Sequence, residues 1–394
     1  MLTRDENELL TSVARGTPAG ELLRRYWHAV AVAGELTETS PIKAVKILGE
    51  ELVVYRDTQG RYGLVGEHCP HRLASLAYGH VDQEGIRCPY HGWKFDNTGK
   101  CLEQPAEPPG STFKDRIKQT AYPVEKLGGL LFAYLGPEPK PLLPRWDVLT
   151  WEHGRRWIVI DSLIDCNWLQ PMENSVDPSH LYWLHGSTAH LARRVKKYDE
   201  QHEFLTFEFG IMKRRTTPAK TPGQPPLVDQ HPLLFPTTLR HVAPYEDGQG
   251  HRHNLQIRVP VDDTHTQVYR VNFVPSAKER SPADIDPPFK FSLLKRSARD
   301  YAMDKVSAQD SMAWETQGAI TDRRQEHLGV GDEGIILLRK LLKEQIELVQ
   351  KGQEPMGIVR DPSRNHIIEF EVTNDRIGLH RPETAAASKI AAAF

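Results

Sequence analysis

Two short mixed pairs constrain this chain more than anything else in it. Cys69-Pro-His71 and Cys88-Pro-Tyr-His91, separated by sixteen residues, each offer one thiolate and one imidazole. Both lie between Lys43 and about Leu135, where short β-rich runs (Val45–Leu48, Leu52–Tyr55, Tyr62–Val65, Leu130–Tyr134) are broken by Gly49, Gly60, Gly79, Gly99 and Gly110, the pattern of a small antiparallel β-domain. Four donors act together only if the two loops converge. Zinc is one occupant, but its ligands usually arrive as paired cysteines and paired histidines, whereas each pair here is mixed. Mixed loops suit a [2Fe–2S] cluster, with Cys69 and Cys88 on one iron and His71 and His91 on the other. Neutral imidazoles raise the potential of such a centre above that of an all-cysteine cluster, so it accepts electrons from one. The plain alternative is two buried cysteines beside two incidental histidines. Pro70, Pro89, Gly79 and Gly92 stiffen and tighten the loops, and Trp93 and Tyr90 stand where they would cover the centre. His68 and His80 lie off the spacing.

That domain needs only about a hundred of the 394 residues, and at about 150 residues per domain the chain has room for two or three. Gly136-Pro-Glu-Pro-Lys-Pro-Leu-Leu-Pro144, with four prolines, reads as an extended linker and marks the boundary. The expected division is 1–39, a helical N-terminal segment; 40–140, the cluster domain; and 141–394, a second domain. Thr3–Val13 and Thr17–Val30 read as helices capped by Thr3 and Thr17. Beyond the linker come a strand (Arg156–Ile160), a helical stretch (Trp168–His185), strands (Glu203–Phe209, Asn254–Val261, Gln267–Phe273) and a final helix (Glu333–Val349). This is an α+β chain: an antiparallel β-domain followed by an antiparallel sheet with helices. Residues 213–250, rich in Pro, Gly and charge, read as a mobile flap or an ordered pocket wall.

Composition narrows the partners. Fifty Lys and Arg against 52 Asp and Glu leave no net field for nucleic acid or an anionic membrane, and no apolar run approaches the roughly 18 residues of a spanning helix. Four cysteines (Cys69, Cys88, Cys101, Cys166) and an N-terminus without an apolar stretch lead us to expect a cytoplasmic protein.

A second constellation follows the linker. Glu173, Asp177, His180 and His185 are spaced Glu-x3-Asp-x2-His-x4-His. On a regular helix the first three share a face, while His185 lies about 140° off it, so both histidines reach one metal only if the helix is irregular, which Pro178 favours. Alone, the pair reads first as two unrelated histidines on a helix; a zinc hydrolase using both is a further option.

Together the two constellations resemble the Rieske non-haem iron oxygenases, the large (alpha) subunits of aromatic-ring oxygenases. Leu2-Thr-Arg-Asp-Glu-Asn-Glu-Leu-Leu10, Gly16-Thr-Pro18, Arg24-Arg-Tyr-Trp27 and Asp322-Arg-Arg-Gln-Glu-His-Leu328 are similar to the phthalate-dioxygenase-like branch, which includes dehydrodivanillate O-demethylases. The resemblance implies one [2Fe–2S] cluster and one mononuclear Fe(II) held by His180, His185 and a distant carboxylate. Asp310 is its best candidate, with Asp304 and Glu315 the nearest competitors. It implies that Asp177 accepts hydrogen bonds from His180 and from His91 of a neighbouring subunit in a homotrimer or dimer of trimers. Glu173 either tunes that bridge or serves as a cap or salt-bridge partner. The substrates implied are O2 and an aromatic compound, commonly carboxylated, oxidised by O-demethylation or other monooxygenation, or by cis-dihydroxylation. With no Gly-rich dinucleotide fingerprint in the chain, electrons come from a partner reductase or ferredoxin. Lys213, Arg214, Arg215 and Arg240 are candidate carboxylate contacts, with a solvated charge run the preferred alternative, and Leu233, Leu234, Phe235, Ile257 and Val259 line a pocket or, more simply, fill the core. The rival of another class is an electron-transfer protein with a vestigial second site.

Overall fold

The computed structural model describes residues 1–187, 198–219, 221–245 and 250–379. The chain opens with α1 (Arg4–Thr11), whose start is fixed reciprocally: Thr3 Oγ1 accepts from Glu6 N and Glu6 returns the bond to Thr3 N. Thr17 caps α2 (Pro18–Leu23), with Pro18 in its first turn. The second helix is shorter than expected. It stops at Leu23, and Trp27–Val32 is a strand paired antiparallel with Leu130–Tyr134. All six strand residues are buried, so burial on both faces overrides the helical spacing of Leu22, Leu23, Tyr26 and Trp27.

The cluster domain packs two small antiparallel sheets: Ile42–Ile47, Glu50–Arg56, Tyr62–Gly66 and Ala121–Tyr122, then His80–Asp82, Gly85–Arg87, Lys94–Phe95 and Cys101–Glu103. Val53, Tyr55, Val65, Leu76, Ile86, Trp93 and Phe95 close around Cys69 and Cys88 between them. The proline-rich stretch 136–144 has no regular structure.

After α3 (Asp147–Thr150) the second domain is built on one sheet, with nine strands among the described residues. Its order runs Gln201–Phe207, Gly210–Thr217, Leu227–Leu234, Thr238–Pro244, His251–Asp262, His265–Arg280, His153–Asp161, Phe289–Ser292, with Thr373–Asn374 against Leu227–Leu234. Every pairing is antiparallel except the last of the main order. The stretch 213–250 thus carries parts of three strands joined by turns, with Lys213, Arg215, Asp229 and His231 buried. Leu233, Leu234, Phe235, Ile257 and Val259 lie in the main core.

This domain also holds α4 (Leu169–Ser175), α5 (His180–Trp183), α6 (Val306–Glu315) and α7 (Glu333–Gln350); α4 packs on α6 and α7, and α7 lies against the Gln201–Phe207 strand. Arg258, from a central strand, donates to Pro171 O and Ser175 Oγ, and Lys213 donates to Ser175 O at 2.9 Å. Lys213 thus satisfies a carbonyl that α4 leaves open where it ends, while Arg258 grips the same last turn through Pro171 O and the Ser175 hydroxyl.

Candidate metal centres

The two cluster loops are built alike. Cys69 N donates to Ala74 O (2.9 Å) and Leu73 N to Cys69 O (2.8 Å); Cys88 N donates to Trp93 O (2.8 Å) and Gly92 N to Cys88 O (3.1 Å). In each loop the residue four past the cysteine turns left-handed, Leu73 at φ 61° and Gly92 at φ 73°. Gly79 lets the loops close, because a Cβ there would stand 2.4 Å from Arg87 O. Both thiols are buried, and burial, with the neighbouring Cys88, pushes Cys69 up to about 12. His71 and His91 lie at the outer rim, ring centroids 4.6 Å apart, with Trp93 stacked on His71 and Tyr90 against His91. Buried sulfurs beneath exposed nitrogens fit a cluster whose cysteine-held iron lies inside and whose histidine-held iron faces outward. Its positive charge is what a buried thiolate requires. His68 is at the surface, bonded to Glu51.

In the second centre the helix breaks as the histidine spacing demands. α4 ends at Ser175, and Asp177 Oδ1 accepts from Ser179 N (2.8 Å) and Ser179 Oγ (2.5 Å), restarting the chain as α5 at His180. The break turns both imidazoles toward α6. One ligand atom each from His180, His185 and Asp310 lie within 4.8 Å of one another. His185 Nε2 is 3.1 Å and His180 Nε2 3.8 Å from Asp310 Oδ1. Asp310 Oδ1 is buried without a hydrogen bond, as an oxygen reserved for a metal would be. Burial raises the Asp310 carboxyl, but the two imidazoles and Arg258 outweigh it and hold it below its ordinary value. Two imidazoles and a carboxylate on one side suit Fe(II) with open positions. Asp304 is exposed in the turn before α6, and Glu315 is engaged by Lys295 and Tyr301.

Asp177 Oδ2 lies 3.6 Å from His180 Nδ1, and despite burial its carboxyl is held down at about 2 by His180 and Ser179. Glu173 does not join it. Its buried carboxylate takes Arg323 (2.8 and 2.7 Å) and Arg339 (2.6 Å), the salt-bridge alternative. Three of the proposed carboxylate contacts are also committed: Arg240 to Asp147, Arg215 to Asp229, Arg214 to Gln230. Among the described residues Lys213 has no ion-pair partner, and burial pulls it down to about 8.

Sequence reasoning missed the glutamines. Gln170 ties α4 to α6 through Trp314 O and Gly318 O (both 2.9 Å), and Gln309 meets His185 Nδ1 at 2.8 Å. Glutamine has no spacing signature; adjacency to Asp310 was the one signal for Gln309.

A Rieske [2Fe–2S] domain model matches residues 26–123, and a model described as LigXa C-terminal domain like matches 296–377. The 5,5'-dehydrodivanillate O-demethylase oxygenase subunit of Sphingobium sp. is 38% identical over 381 residues, covering 93% of this chain and 86% of its own. The chain belongs to the Rieske oxygenases. The phenoxybenzoate dioxygenase subunit alpha of Ectopseudomonas oleovorans is 37% identical over 89% of this chain and 87% of its own. The solved structure of NdmA of Pseudomonas putida CBB5 with caffeine shares the fold at TM-score 0.65 and 23% identity, covering 85% of this chain and 94% of that one. This Rieske oxygenase is thus an oxygenase subunit, an oxidoreductase with a [2Fe–2S] cluster and a mononuclear iron, fed by a reductase. The zinc-hydrolase and electron-transfer readings fall with that membership. No helix among the described residues is long and apolar enough to cross a membrane.

Proposed function

We propose that Cys69, His71, Cys88 and His91 hold the cluster, that His180, His185 and Asp310 hold the iron, and that the enzyme O-demethylates a carboxylated, methoxylated aromatic. The convergence of His180, His185 and Asp310 across 130 residues of chain carries the site assignment. The O-demethylase name of the 38%-identical relative supports the reaction. When bound, the iron supplies O2 activation: a methoxy group, O2, two electrons and two protons give a phenol, formaldehyde and water.

The chain's own residues do the rest. His71 and His91 stand at the rim where an electron leaves the cluster. Asp177, ionised and beside His180, offers the acceptor that joins two metal-bound imidazoles, and His91 of a neighbouring copy is the second. Leu73, Tyr78 and Tyr90, 70%, 81% and 56% exposed, are apolar side chains on the cluster domain suited to such a contact, and the homotrimer or dimer of trimers rests on the relay itself. Lys213, whose Nζ also donates to Ser175 O, is the proposed contact for a substrate carboxylate. The division falls at 39 and 140, and the two buried cysteines outside the cluster, Cys101 and Cys166, carry no disulfide, which supports a cytoplasmic location.

The relative named phenoxybenzoate dioxygenase favours a second reading, ring cis-dihydroxylation. Turnover with a surrogate reductase over a panel of carboxylated and methoxylated aromatics, read by mass spectrometry, separates them. A phenol with equimolar formaldehyde is expected; a cis-diol bearing both oxygen atoms would replace our reading with the second.

A further inference from the structure

Gln309 is buried on α6, one residue before Asp310, and each end of its amide meets a group of fixed or forced character. Nε2 donates to Met303 O at 2.8 Å, and a carbonyl only accepts, so turning the amide over would set two oxygens against each other. Oε1 therefore faces His185 Nδ1 at 2.8 Å. An amide oxygen cannot donate, so the proton is on Nδ1. The lone pair of the neutral ring is then on Nε2, the atom 3.1 Å from Asp310 Oδ1.

We infer that Gln309 is a positioning residue for the mononuclear iron: it locks His185 in the tautomer and ring orientation in which Nε2 faces the metal. The inference rests on His185 being a ligand, as proposed above. Adjacent residues of α6 thus grip one ring from both nitrogens, Gln309 at Nδ1 and Asp310 on the Nε2 side. The other ring is held differently. His180 Nδ1 faces the Asp177 carboxylate, so the two imidazoles have acceptors of unlike charge, one anionic and one neutral. Only His180 is arranged to carry charge toward a neighbour; the amide behind His185 fixes geometry without adding charge.

The test uses holoenzyme and reads the rate at which a chelator strips the mononuclear iron, with cluster absorbance and melting temperature as folding controls. Gln309→Met keeps the length and removes the acceptor; Gln309→Glu keeps an acceptor. Gln309→Met should weaken iron binding by about 10–100-fold and speed stripping accordingly, with an unchanged cluster spectrum. Gln309→Glu should restore most of the retention. If Gln309→Met fails to fold, Gln309→Asn, too short to reach the ring, takes its place with the same expectation. Wild-type stripping in Gln309→Met, or loss in Gln309→Glu equal to that in Gln309→Met, overturns the inference and leaves the ligand assignment standing. Full iron retention in His185→Ala overturns both.

Discussion

Asp177 divides its oxygens between two tasks. Oδ1 caps the restarted helix through Ser179, and Oδ2 faces His180. Asparagine can keep the first and weakens the second, because its amide oxygen is a poorer acceptor than a carboxylate and its amine end only donates. Asp177→Asn should therefore fold and keep both metals while re-oxidation of the reduced cluster by O2 and substrate slows about 10–100-fold, read in stopped flow at the cluster absorbance. With its pKa near 2, Asp177 stays ionised throughout pH 5–8, so the wild-type rate should owe no pH dependence to it in that range. The proposed ligands at 69, 71, 88, 91, 180 and 185 stand out in the sequence because donors meant to converge on one centre repeat at short, fixed spacings. Glu173 was harder to place because its partners, Arg323 and Arg339, lie 150 and 166 residues further on.

At the scale of elements, the end of α4 decides the site. The histidine spacing foretold a break near Pro178, but not the means of holding it. Arg258 and Lys213 come from strands that carry no mark of their target, and 213–250 looked irregular because its buried face is polar. Glu173 locks the same helix from the other side, joining α4 to α7 through Arg339 and to Asn7 of α1 through Arg323. Glu173→Gln leaves Arg323 buried without its counter-charge and should cost about 3–5 kcal/mol, seen as a lower denaturation midpoint. The sign with pH follows from the depressed carboxyl. Wild-type Glu173 contributes its stability above the ordinary glutamate value of 4.5, and that contribution fades as acid carries the pH down through the lower folded value. Glu173→Gln should flatten that part of the acid-denaturation curve.

For the whole molecule, the proposed relay requires more than one copy. Sedimentation should give a trimer or hexamer, and Tyr78→Asp, which replaces one of the exposed apolar side chains of the cluster domain with a charge, should dissociate it into chains that keep the cluster colour but lose turnover. A fully active monomer would contradict the relay. The linker at 136–144 suggests two separable parts, yet the parts are sewn together elsewhere: Leu48 N and Gly49 N donate to Pro260 O and Val261 O (both 2.9 Å), Tyr269 Oη donates to Val30 O, and one apolar core runs through both. The cluster domain is consequently no interchangeable cartridge. A chimaera spliced at the prolines would put a foreign hairpin against Pro260 and Val261, so successful grafts should need the donor's contact strand as well, and bleaching of the cluster should report calorimetric melting of the entire chain.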